Sequence, residues 1–241
     1  AGSTLTVGSG GVLSFTNTSW SIGTAPNVGA ITSGVGELFL YAQGSGVMTI
    51  NSTITGNIAL TKFGANAVTL AGNNTYTGGT TVSAGTLALS SASALQSGSA
   101  LTLAGGTLRL SAAGTYTFGA LSVTASSTID FGGAGVTNLA LSSLSISNGA
   151  QLTIQNWVRY SDQFTVSSAP TISGTSVSAG TDISRQSINF SNYGELAQWN
   201  SGSFSANNIA AVPEPSTYGF AMGALALAAA AIRRRRKTKS V

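Results

Sequence analysis

Short runs that alternate an apolar residue with Thr, Ser, Ala or Arg, set between glycine-rich breaks, limit what this chain can fold into more than any other feature. From residue 47 to 156 they follow one another: Val47–Ile50, Ile58–Leu60, Val68–Leu70, Thr86–Leu89, Leu101–Leu103, Thr107–Leu110, Leu121–Val123, Thr128–Phe131, Leu139–Leu141, Leu144–Ile146 and Leu152–Ile154. Alternation with period two is the mark of a strand with one buried face. The Gly, Asn, Ser and Ala between the runs are turn formers. No ten-residue stretch before Tyr218 has helical periodicity, so the body is expected to be all-β. Many short strands joined by glycine turns fit either a sandwich or a solenoid. The block Leu101-Thr102-Leu103-Ala104-Gly105-Gly106-Thr107-Leu108-Arg109-Leu110 turns a short Gly-Gly corner between two strands, which favours a parallel β-solenoid whose coils stack like on like. Spacing between runs is irregular, and no fixed repeat length is expected.

Composition supports a folded body with little chemistry. Charged residues make up 7% of the chain and apolar residues 42%, the reverse of the high-charge, low-hydrophobicity balance of disordered chains. Cysteine and histidine are both absent. Their absence removes disulfides, thiol nucleophiles, the commonest general base and the commonest metal ligand. The net charge of +4 is concentrated at one end, in Arg233, Arg234, Arg235, Arg236, Lys237 and Lys239. Residues 1–212 carry Lys62, Arg109, Arg159 and Arg185 against Glu37, Asp130, Asp162, Asp182 and Glu195. That body has no basic face to meet phosphates, so nucleic acid is not an expected partner. The chain opens on Ala1 without a leader; for an exported protein, the expectation is a leader already removed.

The end of the chain carries three parts in order: Val212-Pro213-Glu214-Pro215, an uncharged stretch rich in Ala, Leu and Gly over 218–232, and the cluster Arg233, Arg234, Arg235 and Arg236. The prolines force an extended stretch that a protease can bind as a strand. Fifteen helical residues reach about 22 Å at ~1.5 Å each, short of a hydrocarbon core of about 30 Å, which suits a transient anchor. By the positive-inside rule the arginines stay cytoplasmic and the body faces outward. This arrangement resembles the PEP-CTERM sorting signal of bacteria that make exopolysaccharide. The resemblance implies processing near Pro213-Glu214-Pro215 by an exosortase, a membrane-embedded transpeptidase-like enzyme, and a location at the cell envelope, surface or matrix of a Gram-negative-type bacterium.

A second motif lies within Leu70 to Leu87. Asn74, Tyr76, Gly78, Thr80, Val82, Gly85 and Leu87 fall at the spacing Asn-Xaa-Tyr-Xaa-Gly-Xaa-Thr-Xaa-Val-Xaa-Xaa-Gly-Xaa-Leu. This run is similar to the autotransporter-associated β-strand repeat. The resemblance implies a coil of a right-handed parallel β-helix in a secreted passenger-type domain, with these seven residues in structural roles. The run Leu152-Thr153-Ile154-Gln155-Asn156-Trp157 also resembles a terminal region found in surface proteins with such a sorting tail.

The expected organisation is an N-terminal cap or first coils at 1–46, a solenoid at 47–156 with the repeat at 70–87, and a C-terminal cap at 157–204. A linker at 205–217, a single transmembrane helix at 218–232 and a basic tail at 233–241 follow. No catalytic residue, metal site or cofactor is expected. The carboxylates are few and scattered, and a pair such as Asp162 and Asp182 reads as solvated charge rather than as acid and base. Gly132-Gly133-Ala134-Gly135 reads as a turn, since no Lys or helix follows it. Trp20, Trp157 and Trp199 read as cap residues, with sugar stacking as the alternative. The favoured function is a structural or adhesive surface protein associated with exopolysaccharide or biofilm. A carbohydrate-binding or weakly polysaccharide-active β-helix is the second reading, and a solenoid that self-associates is the third.

Overall fold

The computed structural model describes residues 2–132, 135–158, 161–176, 187–190, 195–200 and 208–212. They form an all-β parallel solenoid of about seven turns. The first coil holds β1 (Thr4–Val7), β2 (Gly11–Ser14) and β3 (Trp20–Ile22); the second, β4 (Ala30–Ser33), β5 (Glu37–Ala42) and β6 (Met48–Ile50); the third, β7 (Thr53–Ile54), β8 (Ala59–Phe63) and β9 (Ala67–Leu70). The fourth holds β10 (Thr80–Val82) and β11 (Thr86–Leu89), and the fifth β12 (Leu101–Ala104) and β13 (Thr107–Leu110). The sixth holds β14 (Gly114–Ala125) and β15 (Ser127–Asp130), and the seventh β16 (Thr137–Ile146) and β17 (Leu152–Gln155). An incomplete eighth coil contains β18 (Gln163–Val166), β19 (Thr171–Ile172), β20 (Thr175–Ser176) and β21 (Ile188–Phe190), followed by β22 (Glu195–Asn200) and β23 (Asn208–Val212).

Three parallel faces run along the axis. Face A stacks β2, β5, β8, β10, β12, the second halves of β14 and β16, and β19. Face B stacks β3, β6, β9, β11, β13, β15, β17 and β21. Face C contains β1, β4 and β7, then the first halves of β14 and β16 and finally β18. Between β7 and β14, face C continues as hydrogen-bonded backbone outside regular strands: Thr75 N donates to Ile54 O at 2.8 Å and Thr77 N to Gly56 O at 3.1 Å.

The core follows from alternation plus stacking. Inward residues of face A line up as Leu38, Leu60, Thr80, Leu101, Leu121 and Leu144, each above the last. On face B, Met48, Val68, Leu87, Leu108, Ile129, Ile154 and Phe190 do the same. Every one of these residues is buried. Stacking like on like keeps the cavity profile constant from coil to coil, so close packing is preserved along the whole rod. Corners are tight. Gly85 sits at φ +61°, and a Cβ there would fall against the carbonyl oxygens of Gly64 and Asn66 in the coil below. Glycine is therefore required both by backbone conformation and by the close approach of stacked corners.

Coil length varies. The Asn17–Ser45 contact between coils bridges 28 residues, Asn74 to Ala94 bridges 20, and Thr137 to Asp162 bridges 25. The corner between faces A and B takes five residues at either end (15–19, 43–47 and 147–151) and three or fewer in the coils between. At the C-terminal end parallel stacking stops. β22 pairs antiparallel with β21 and with β23, and β23 pairs antiparallel with β18. The strand Asn208–Val212 thus falls inside the stretch 205–217 expected from sequence as a linker. Among the described residues no helix is long and apolar enough to cross a membrane. The helix expected at 218–232 lies outside the described residues, as do Pro213, Glu214, Pro215, Arg233, Arg234, Arg235 and Arg236.

Candidate functional site

The seven repeat-motif residues fall in the fourth coil, and each meets its neighbours in a definite way. Asn74 is buried on face C, where no strand forms. Its Oδ1 accepts from Ile54 N at 2.7 Å in the coil below, and its Nδ2 donates to Ala94 O at 2.6 Å in the coil above. One amide side chain thereby replaces two strand hydrogen bonds and joins three coils. The Tyr76 and Thr80 hydroxyls, both buried, lie 2.6 Å apart, and burial raises the Tyr76 pKa. Gly78 N donates to Ile58 O at 3.0 Å, and a Cβ at Gly78 would press on that same peptide at 2.5 Å. Val82 and Leu87 point into the core and Gly85 forms the corner.

Directly below Val82, the inward column of face A contains a lysine. Lys62 is stacked between Leu40 and Val82 and has no exposed surface. Its Nζ donates to three carbonyls, Phe63 O at 3.1 Å, Gly64 O at 2.7 Å and Ala84 O at 2.9 Å. Three donors meeting three acceptors satisfy the ammonium. Desolvation nevertheless lowers its pKa from the ordinary 10.5 to about 8. Among the described residues no acidic partner contacts Nζ, and its three acceptors make this lysine a clamp between the corners of two coils.

Two carboxylates, Asp162 and Asp130, also hold backbone. Asp162, expected from sequence as solvated charge, is instead buried, because its carboxylate is needed to satisfy two backbone donors: Oδ1 accepts from Thr137 N at 2.8 Å and Oδ2 from Val158 N at 2.7 Å. Asp182 lies outside the described residues. Asp130 Oδ1 accepts from Gly132 N at 2.8 Å and Asn156 Nδ2 at 2.6 Å, while Oδ2 lies 3.5 Å from Arg109 Nε. Among the described residues no group of three His, Cys, Asp or Glu could hold a metal. Trp157 is buried edge-on between Phe131, at 5.1 Å, and Phe190, at 5.3 Å. Trp20 is half-buried and donates from Nε1 to Ser14 Oγ at 2.8 Å. The side chain of Trp199 lies outside the described residues.

Sequence reasoning passed over a second feature. Phe15, Phe39, Tyr41 and Phe63 gather on the outer side of face A, with ring centroids 5.2 Å apart for Phe15–Tyr41, 4.9 Å for Tyr41–Phe63 and 6.3 Å for Phe39–Phe63. Leu13 pairs in register with Tyr41, and Tyr41 with Phe63. The signal was present in the alternation Leu38-Phe39-Leu40-Tyr41, where both parities are apolar. Linking it to Phe15 and Phe63 required the coil lengths.

Two segments of the chain match known families. Residues 60–89 match the passenger-associated-transport-repeat, and residues 211–237 match the PEP-CTERM protein-sorting motif. The chain is an exported cell-surface protein of a Gram-negative bacterium. The sorting motif implies exosortase-type processing. A curated relative, the adhesin BmaC autotransporter of Brucella suis biovar 1 (strain 1330), is 42% identical over 78 residues. That stretch is 30% of this chain and 2% of the adhesin, so the chain spans a small fraction of the relative's length. No solved structure matches.

Proposed function

We propose that this chain is a non-enzymatic, adhesin-like display protein: a solenoid held at the outer face of the envelope and released into, or tethered within, an exopolysaccharide matrix. The observation that carries the reading is the placement of the sorting motif. The last strand of the solenoid region, β23, ends at Val212, and the matched sorting segment runs over 211–237. In this reading Val212, Pro213, Glu214 and Pro215 are the processing stretch, 218–232 is a short membrane helix, and Arg233, Arg234, Arg235 and Arg236 hold the tail in the cytoplasm. The coils wind right-handed, as parallel strand crossovers do. The relative's name supports adhesion. The engagement of Asp130 and Asp162 in backbone hydrogen bonds supports a structural role over a catalytic one.

The test is the intact mass of the protein recovered from envelope and from culture medium, with and without the exosortase gene. A loss corresponding to removal of the chain from about residue 215 onward, dependent on the exosortase, is expected. Deletion of 212–241 should move the protein to the medium. An uncut C-terminus in both fractions would overturn the processing step and leave a permanent single-span anchor.

A further inference from the structure

The aromatic cluster on face A is one end of a longer track. Phe39 pairs in register with Thr61, and the same column continues through Thr81, Thr102, Ser122 and Ser145. Neighbouring strands lie about 4.8 Å apart, so this is a straight rank of hydroxyls parallel to the solenoid axis that begins at a platform of rings. Phe15 is 65% exposed and Leu13 60%, while Phe39, Tyr41 and Phe63 are half-buried. Glu37 is the charged residue on this outer side, and its Oε1 accepts from Thr61 Oγ1 at 2.5 Å.

Area, charge and shape together choose the occupant. An aromatic side chain covers roughly 150–250 Å² in full, so the exposed part of this patch is on the order of 350 Å². A stable protein interface needs about 800 Å² per partner, which argues against a second copy. With Glu37 as its carboxylate and no outward cation on face A among the described residues, the track has nothing to pair with an anionic ligand. Ring faces beside hydroxyls suit a molecule that is itself apolar on one side and hydroxylated on its edges. We propose that the outer side of face A binds a linear, uncharged polysaccharide, its sugar rings stacked on Phe15, Tyr41 and Phe63 and its hydroxyls hydrogen-bonded along the threonine and serine rank. This deepens the matrix reading above and takes its biological setting from it, while the binding site stands on the geometry alone.

The experiment is a depletion isotherm of the purified full chain, kept in mild detergent, against microcrystalline cellulose, curdlan and mannan, with calcium alginate as the acidic comparison. Saturable binding to at least one neutral polymer and none to alginate is expected. Tyr41→Leu keeps an apolar side chain but removes the ring face and should weaken binding at least tenfold. The pair Thr81→Val and Thr102→Val should weaken it a few-fold. Should Tyr41→Leu lose its β circular-dichroism signal, Phe15→Ala, at the most exposed ring, replaces it with the same expectation. Binding to none of the neutral polymers overturns the proposal, as does equal binding by the ring variants. A sedimenting dimer that Tyr41→Leu dissociates would also overturn it and assign the patch to a second copy. Because the isotherm uses purified protein, it is independent of processing. Failure of the mass test with intact binding would remove the processing step and leave the site standing.

Discussion

Lys62 makes the solenoid's stability depend on pH in a direction opposite to that of a lysine held in an ion pair. Folding places its ammonium among Leu40, Val82 and backbone and lowers its pKa to about 8, from 10.5 in solvent. Between these values the unfolded chain binds more protons than the folded one, so stability must rise with pH across that window. The cost is fully present below about pH 8 and relieved as pH climbs toward 10.5. At ~1.4 kcal/mol per pH unit the gap sets a ceiling of roughly 3 kcal/mol. The part recovered between pH 8 and 10 is about 2 kcal/mol. Burial raises the pKa of Tyr76 and Tyr116, which removes stability once pH passes the ordinary tyrosine value, so the clean interval is pH 8 to 10. Urea melts at half-unit steps over that interval should show the wild-type midpoint climbing and the Lys62→Met midpoint flat. A wild-type midpoint that falls, or the same slope in both proteins, would refute the argument. It would mean that the carbonyls of Phe63, Gly64 and Ala84 compensate the ammonium in full.

Three further outcomes follow from the same structure. Asn74→Ala strands Ile54 N and Ala94 O between coils and should cost about 2–4 kcal/mol; hydrogen exchange localised to the third to fifth coils would show the loss to be local. Trp157→Ala opens the stack on Phe131 and Phe190 and should cost about 3–5 kcal/mol, read as a lower thermal midpoint with the far-ultraviolet spectrum of the remaining solenoid retained. Arg109→Ala removes a half-exposed partner of Asp130 and should change stability by under ~1 kcal/mol, because Gly132 N and Asn156 Nδ2 still hold the carboxylate.

Alternation made faces A and B legible in the sequence, because most inward Leu, Ile or Val residues there are flanked by outward Thr, Ser, Ala or Arg. Face C was less visible. Over 73–77 the backbone is held by Asn74 and by isolated hydrogen bonds from Thr75 N and Thr77 N rather than by a regular strand, so no alternating run marks it. In β14 the stretch Gly114–Phe118 buries Tyr116 and Phe118 but begins at a glycine that reads as a turn. The two features that most affect behaviour break the alternation rule. Lys62 is inward because it lies two residues after the inward Leu60, yet a lysine in a strand reads as outward. Phe39 and Tyr41 are outward, yet apolar residues read as inward. Each can be recognised only once the coil lengths are known, and these change from 28 to 20 residues between the first contacts and the centre of the rod.

Coil length also decides which deletions the fold can absorb. Thr80 pairs with Leu101 on face A and Thr86 with Thr107 on face B, so the fourth and fifth coils are offset by the same amount on both faces. Removing residues 80–100 joins Gly79 to Leu101 and places β12 over β8 and β13 over β9 with inward residues still inward. The loss is one coil's stacking interface, the Ala94 acceptor of Asn74 and the Thr80 partner of Tyr76; each buried group left unpaired costs about 1–3 kcal/mol. A solenoid sums nearest-neighbour terms, so this shortened chain should still fold cooperatively, at a lower midpoint and with the same strand signal per residue. Removing 80–99 instead shifts the register by one residue. Leu101 and Leu103 then turn outward or the corner must stretch, because side-chain direction in a strand has period two. Equal midpoints for the two deletions would refute the claim that register, rather than composition, holds these coils together.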